Sequence, residues 1–187
     1  MDPFLHWKKT FLAKDDKSKK GSIDAPIKLL LDSINKKEDY FTTSSCSGRI
    51  SIRAQTALAR KDEIKFLLKS HRMVRLSRVM GALTMIPLDM VWFRFEPMIL
   101  HVACRDIGCA NVLLDKVRGV FKHSGIISSR KRIVLEIRGS EFIEAPLTAA
   151  GKLVVDDGYL RLLLKEANQK LHITHRKIKE CAKLLAN

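Results

Sequence analysis

Residues 39–50 read Asp39-Tyr40-Phe41-Thr42-Thr43-Ser44-Ser45-Cys46-Ser47-Gly48-Arg49-Ile50, a run of hydroxyls and one thiol between an aromatic start and a Gly-Arg exit. Core packing does not call for such a run. Its chemistry is that of a grip: hydroxyl and backbone N–H donors crowded into one turn hold an anion or a polar head group. Gly48 lets the backbone come close to what is held, and Arg49 adds charge-assisted donors for a carboxylate. The ordinary alternative is a turn that closes on itself through Ser and Thr side chains. The segment alone leaves both readings open.

Proton chemistry has two candidates, His71 and His101, because an imidazole with its ordinary pKa of about 6.5 can accept a proton near neutrality. His101 is the preferred base, with Glu96 as the carboxylate that orients it. His172 and His175 stand about one helical turn apart but lack a Glu or Cys ligand pattern. Cys46, Cys104, Cys109 and Cys181 form no Cys-x-x-Cys pair, so neither a zinc ribbon nor a secreted disulfide framework is indicated. No metal is expected.

These groups must be positioned by helices and short strands. Phe4, Trp7, Phe11 and Leu12 recur at helical spacing, with Gly21 as a cap after the basic exit 17–20, and a second helix begins at Asp24, its N-cap, burying Ile27, Leu30, Leu31 and Ile34. Strands are predicted at 48–54, 64–68, 91–96, 98–105, 126–128, 131–137 and 141–147, the pair at 91–105 folding around Pro97. Helices are predicted at 76–85 and 106–121. Residues 158–185 form a long amphipathic helix whose stripe of Leu160, Leu164, Ala167, Leu171, Thr174, Ile178, Cys181 and Leu185 alternates steps of four and three. The fold class is α+β, a two-layer arrangement of a mostly antiparallel or mixed sheet with helices on one face, built from a repeated strand-helix-strand-strand unit. A single domain over 1–187 is expected, with helices in 3–37 and 158–185 around a sheet region 40–155.

Alternation along the strands separates an apolar side, with Leu100, Val102, Cys104, Phe93, Phe95, Ile133, Leu135 and Ile137, from a polar one. The polar side carries Arg49, Arg53, Arg94, Glu96, His101, Arg105, Arg132 and Arg138. Arginines gathered in this way repel one another unless phosphate arrives, and Arg suits bidentate phosphate contacts and base stacking. The 187 residues carry 35 Lys+Arg against 20 Asp+Glu, a net charge of +15. That is the footprint of a polyanion binder. No stretch approaches the ~20 apolar residues of a membrane span, and Met1-Asp2-Pro3 lacks the basic-then-apolar order of a signal peptide. A cytoplasmic protein is expected.

The run 40–50 resembles the signature of the tRNA wybutosine-synthesising protein 3 family, especially its archaeal members. Leu68-Lys69-Ser70-His71-Arg72 is similar to a second family segment, and Phe95-Glu96-Pro97-Met98-Ile99-Leu100-His101-Val102-Ala103-Cys104-Arg105 to a third. Ser124-Gly125-Ile126, Ala145-Pro146-Leu147, Gly151-Lys152-Leu153 and Ala167-Asn168-Gln169-Lys170 complete a resemblance that spans nearly the whole chain in order. The chain departs from the pattern between Ile52 and Lys65, where family members carry a longer insertion. The resemblance implies an S-adenosylmethionine-dependent methyltransferase acting on a ring nitrogen (N4) of a demethylwyosine-type tricyclic base next to the anticodon of phenylalanine tRNA.

No Gly-x-Gly-x-x-Gly loop follows a strand, so a Rossmann-type cofactor site is not supported. The cofactor's amino-carboxypropyl end would then be held by Ser44, Ser45, Cys46, Ser47, Gly48 and Arg49. Methyl transfer to nitrogen asks mainly for in-line placement, with His101 or His71 removing the ring proton. Arg53, Arg94, Arg105, Arg132 and Lys152 are expected to contact the RNA. A monomer without membrane association is expected. Two other functions fit the same residues: a non-catalytic RNA-binding or scaffold protein, and a hydrolase using Ser45 or Cys46 with a histidine. The hydrolase lacks a Gly-x-Ser-x-Gly elbow.

Overall fold

Strand alternation is realised in two antiparallel sheets. The computed structural model describes residues 2–13, 23–55 and 64–186. The expected cap at Gly21, the basic exit before it and most of the region between Ile52 and Lys65 lie outside these residues. The chain divides into two compact units, one formed by Met1–Ser47, Met98–Ser140 and Thr174–Asn187, the other by Gly48–Pro97 and Glu141–Ile173.

The first unit is built on a sheet of β1 (Tyr40–Cys46), β5 (Ile99–Cys104), β6 (Gly125–Ser129) and β7 (Ile133–Arg138), in the order β1-β5-β7-β6. Leu100, Val102, Cys104, Leu135 and Ile137 are buried on one face of it. They join Leu30, Leu31 and Ile34 of α2 (Lys28–Asn35), Ala110, Leu113, Leu114 and Val117 of α4 (Ile107–Arg118), and Ile178, Cys181 and Leu185 of the last helix. Burial in this core pushes the Cys104 and Cys181 thiols up to about 12, so neither serves as a thiolate. Helix α4 starts where the Asp106 carboxylate accepts the Cys109 N–H at 2.7 Å. On the opposite face the aromatic stripe of α1 (Pro3–Leu12) settles on Phe41: Phe4, Trp7 and Phe11 lie 5.5, 4.7 and 5.4 Å from its ring.

The second unit carries β2 (Arg49–Ala54), β3 (Lys65–Ser70), β4 (Val91–Glu96) and β8 (Ile143–Pro146), in the order β3-β2-β4-β8. Ile50, Ile52, Leu68, Phe93, Phe95 and Ala145 form a core with Val79 of α3 (Leu76–Ala82) and with Leu160, Leu164, Ala167 and Leu171 of α5 (Asp157–Ala186). A small hairpin of β9 (Thr148–Ala149) and β10 (Lys152–Leu153) turns at Ala150 and Gly151, with φ of 47° and 72°, as a tight hairpin of this hand requires. In the same unit Asn168 clasps the backbone of Val74, accepting its N–H and donating to its carbonyl, both at 2.9 Å.

The α+β class and antiparallel pairing match the expectation, and every residue of the 160–185 stripe is buried. Three details differ. β4 and β5, read as a pair around Pro97, belong to different sheets. The strand–helix–strand–strand order occurs as β5-α4-β6-β7, whereas the other sheet follows β2-β3-α3-β4. Asp24 precedes the turn at Ala25–Ile27 without a side-chain capping bond; its carboxylate instead accepts the N–H and hydroxyl of Ser47, each at 3.1 Å.

Candidate active site

The serine-rich run is mostly a strand. β1 occupies the edge of its sheet and pairs with β5 through Cys46, leaving Ser47 and Gly48 as the link to β2. A register shift between Thr42 and Ser44 decides which side chain meets His101. Thr42 faces Val102, but the next pair is Ser44 with His101, so the bulge substitutes Ser44 for Thr43. On the other side of β5, His101 faces Glu136 of β7. The cross-strand neighbours Ser44, His101 and Glu136 are joined by hydrogen bonds, Ser44 Oγ to Nδ1 at 2.9 Å and Nε2 to Glu136 Oε2 at 3.0 Å. An ionised carboxylate can only accept, so Nε2 carries the proton. The neutral ring then offers Nδ1 to the Ser44 hydroxyl as an acceptor. Ser44 and Ser45 are exposed and His101 is partly so.

Other members of the run are already engaged. Ser47 is fully buried on Asp24. Gly48 has φ of 90°, where a side chain would be strained, and its carbonyl lies 3.0 Å from His71 Nδ1, which must donate. Arg49 grips Glu96 with two guanidinium nitrogens, Nη2 at 3.1 Å from Oε1. Burial alone would raise the Glu96 carboxyl, yet the hydrogen bond and charge of Arg49, with Arg53 and Arg94, hold it below the ordinary carboxylate range. Glu96 therefore belongs to Arg49, and the carboxylate on His101 is Glu136.

Of the RNA-facing candidates, Lys152 and Arg132 are exposed. The Arg132 guanidinium lies over the Trp7 ring at 4.7 Å, and Arg105 lies over Phe4 at 5.1 Å while bonded to Asp2 and Asp39. Those two carboxylates hold Arg105 more firmly protonated than usual, and its hydrogen bond lowers the Asp2 carboxyl. Arg94 is ion-paired with Glu144. Arg53 is only 7% exposed. Burial pulls both Arg53 and Arg94 below their ordinary value. The expected single arginine face is thus two faces, with Arg49, Arg53, Arg94 and Glu96 on one sheet and His101, Arg105, Arg132 and Arg138 in the other unit.

Glu136 as the partner of His101 is not legible in the sequence. Alternation already set Glu136 opposite Leu135 and Ile137, but the register of β7 on β5 decides that it meets His101.

A family model described as Methyltransferase TYW3 matches residues 6–187. The chain is 37% identical over 182 residues to the tRNA wybutosine-synthesizing protein 3 homolog of Xenopus laevis, covering 95% of this chain and 72% of the relative. It is 38% identical over 178 residues to the tRNA(Phe) 7-((3-amino-3-carboxypropyl)-4-demethylwyosine(37)-N(4))-methyltransferase of Thermococcus sibiricus, covering 94% and 90% of the two chains. Among solved structures, the PH1069 protein from Pyrococcus horikoshii superimposes with a TM-score of 0.85 at 33% identity, covering 97% of this chain and 92% of that one.

Proposed function

We propose that this chain, which belongs to the Methyltransferase TYW3 family, moves a methyl group from S-adenosylmethionine to N4 of a demethylwyosine-type base beside the anticodon of phenylalanine tRNA. The observation that carries the reading is the match through residues 6–187, joined to 38% identity with a relative named for that N4 transfer on tRNA(Phe). A net charge of +15 supports a nucleic-acid substrate.

S-adenosylmethionine, when bound, supplies a methyl group made electrophilic by its sulfonium. Of the expected run from Ser44 to Arg49, the exposed hydroxyls of Ser44 and Ser45 are the groups we assign to holding it, since Ser47 is buried on Asp24 and Arg49 is bound to Glu96. The fit is supported by their exposure, which leaves both hydroxyls accessible to a polar head group. The chain's own contribution to chemistry is proton removal. N4–H gives its proton to Ser44 Oγ as the Ser44 proton passes to His101 Nδ1, and Glu136 stabilises the imidazolium that results. His71, whose Nδ1 is committed to the Gly48 carbonyl, is the second candidate base. Arg132 and Lys152 reach phosphates directly, and Arg105 does so by exchanging a carboxylate for a phosphate.

The same hydroxyl, imidazole and carboxylate order occurs in hydrolases, but Ser44 lies within a strand and not on a strand-to-helix elbow. Among the described residues no helix is long and apolar enough to cross a membrane. We place the protein in the cytoplasm as a monomer working as one functional domain. The test is methyl incorporation from labelled S-adenosylmethionine into tRNA(Phe) carrying the demethyl base. RNA binding without cofactor binding or incorporation would make the protein a scaffold.

A further inference from the structure

The polar face of the β3-β2-β4-β8 sheet holds a buried arginine, Arg53, that makes no hydrogen bond or ion pair among the described residues. Arg49, Ser51 and Arg53 alternate onto this face, and their cross-strand partners are Glu96, Arg94 and Trp92. Arg94 in turn faces Glu144. Arg49 is matched by Glu96 and Arg94 by Glu144. Arg53, 7% exposed, has no hydrogen bond or ion pair among the described residues, and its Nε is unsatisfied. Beside it Ser51, 0% exposed, has an unbonded hydroxyl, and Arg94 Nε is likewise unbonded. Lys69 and Phe66, both exposed, stand at the rim, the ammonium over the ring at 5.6 Å. A buried N–H or O–H donor without an acceptor is disfavoured, and three such donors, Ser51 Oγ, Arg53 Nε and Arg94 Nε, lie on neighbouring positions of one face.

We propose that this face is a receptor for an α-amino-carboxylate, its carboxylate taken by Arg53 and Ser51 and its ammonium by Glu96 and Glu144. Among the described residues of this face Arg53 is the arginine without an ion-pair partner, and the carboxylate supplies one, while the zwitterionic head group as a whole adds no net charge. A phosphodiester also carries one charge, but it is flanked by sugars on both sides, whereas a terminal carboxylate enters a buried site end-on. The carboxylates of Glu96 and Glu144 have no role toward a phosphate and a direct one toward an ammonium. Within the methyltransferase reading, on which this inference rests, two molecules present that head group. One is the methyl donor, through its methionine end. The other is a base bearing the 3-amino-3-carboxypropyl chain, as in the substrate for which the Thermococcus sibiricus relative is named.

The experiment uses the full-length protein and Arg53→Met, which keeps an unbranched apolar stem without the charge. S-adenosylhomocysteine is titrated calorimetrically without RNA. Separately, affinity is measured for two tRNA(Phe) preparations, one whose tricyclic base carries the aminocarboxypropyl chain and one whose base lacks it. Arg53→Met should weaken either S-adenosylhomocysteine or the chain-bearing tRNA by about 10- to 100-fold, the size of a lost charge-assisted hydrogen bond, and leave the chain-less tRNA unchanged. Which of the two weakens identifies the source of the head group. Equal weakening of both tRNAs would assign Arg53 to a backbone phosphate, and affinities within about two-fold throughout would make it structural; either result overturns the proposal. If Arg53→Met does not fold, judged by its melting curve, Ser51→Ala is measured in the same way, with a loss of about 5-fold expected. A wild-type protein that binds neither S-adenosylhomocysteine nor tRNA would bring down the methyltransferase reading itself.

Discussion

His101→Ala separates a catalytic from a structural imidazole. Truncation removes two hydrogen bonds, to Ser44 and Glu136, and leaves the buried Leu100, Val102 and Cys104 on the opposite face untouched. A hydrogen bond contributes about 0.5–1.5 kcal/mol net. Both bonds lie where water can replace the ring, so the total cost should be about 1 kcal/mol, and the melting temperature should fall by roughly 2–4 °C for a chain of this size. If Nδ1 receives the proton through Ser44, the chemical step should slow by about 10²- to 10⁴-fold, with S-adenosylmethionine affinity nearly unchanged. Single-turnover methylation of tRNA carrying the demethyl base reads the rate, and calorimetry reads the affinity. Glu136→Gln keeps an acceptor for Nε2–H without its charge and should fall between wild type and His101→Ala. A His101→Ala rate within a few-fold of wild type would refute the relay and leave His71 as the histidine to test.

Affinity for tRNA should drop steeply between low and moderate salt, because phosphate contacts release counterions; a flat dependence measured by filter binding would remove the electrostatic argument. Glu96 is held below its ordinary value, so its contribution to stability is complete above about pH 4.3, the unfolded value. That contribution is lost as the pH falls through the folded value. Melting curves of Glu96→Gln should therefore be flatter than wild type across this acid range, and parallel curves would contradict the assignment. Asn168→Ala strands both backbone groups of the buried Val74. It should cost about 2–4 kcal/mol, seen as a melting point lower by roughly 5–15 °C; a shift under about 2 °C would mean that water substitutes for the amide.

Period and alternation made the elements legible. The stripe from Leu160 to Leu185 identified the last helix nearly to its ends, because burial of every third or fourth side chain is a local property of the chain. Alternation placed His101 opposite Leu100 and Val102 for the same reason. Pairing is not local. Val91–Glu96 and Ile99–Cys104 with Pro97 between them look like a hairpin, yet each pairs with strands far away in sequence. The run Ser44-Ser45-Cys46 looks like a turn by composition, and becomes a strand only because β5 supplies its hydrogen bonds. Glu96 lies close to His101 in the chain and shares its polar side by alternation, whereas Glu136 is the acid across the ladder. Arg53 reads as one more exposed cation, since its burial depends on what the whole fold places around β2.

The chain crosses between its two units at Ser47–Gly48, Pro97–Met98, Ser140–Glu141 and Ile173–Thr174. Neither unit is therefore a continuous stretch of polypeptide. During synthesis β1 must wait for β5, roughly sixty residues later, and the first core is finished only when Ile178, Cys181 and Leu185 have been made. Such long loops must close before their contacts can form, which slows folding and makes it depend on Ile178, Cys181 and Leu185. A stop codon after Ile173 would spare every strand of both sheets and still leave the first core open. Protein engineers who wish to separate the His101 site from the Arg53 face cannot cut the chain between them, and a circular permutation would still leave each unit in two pieces.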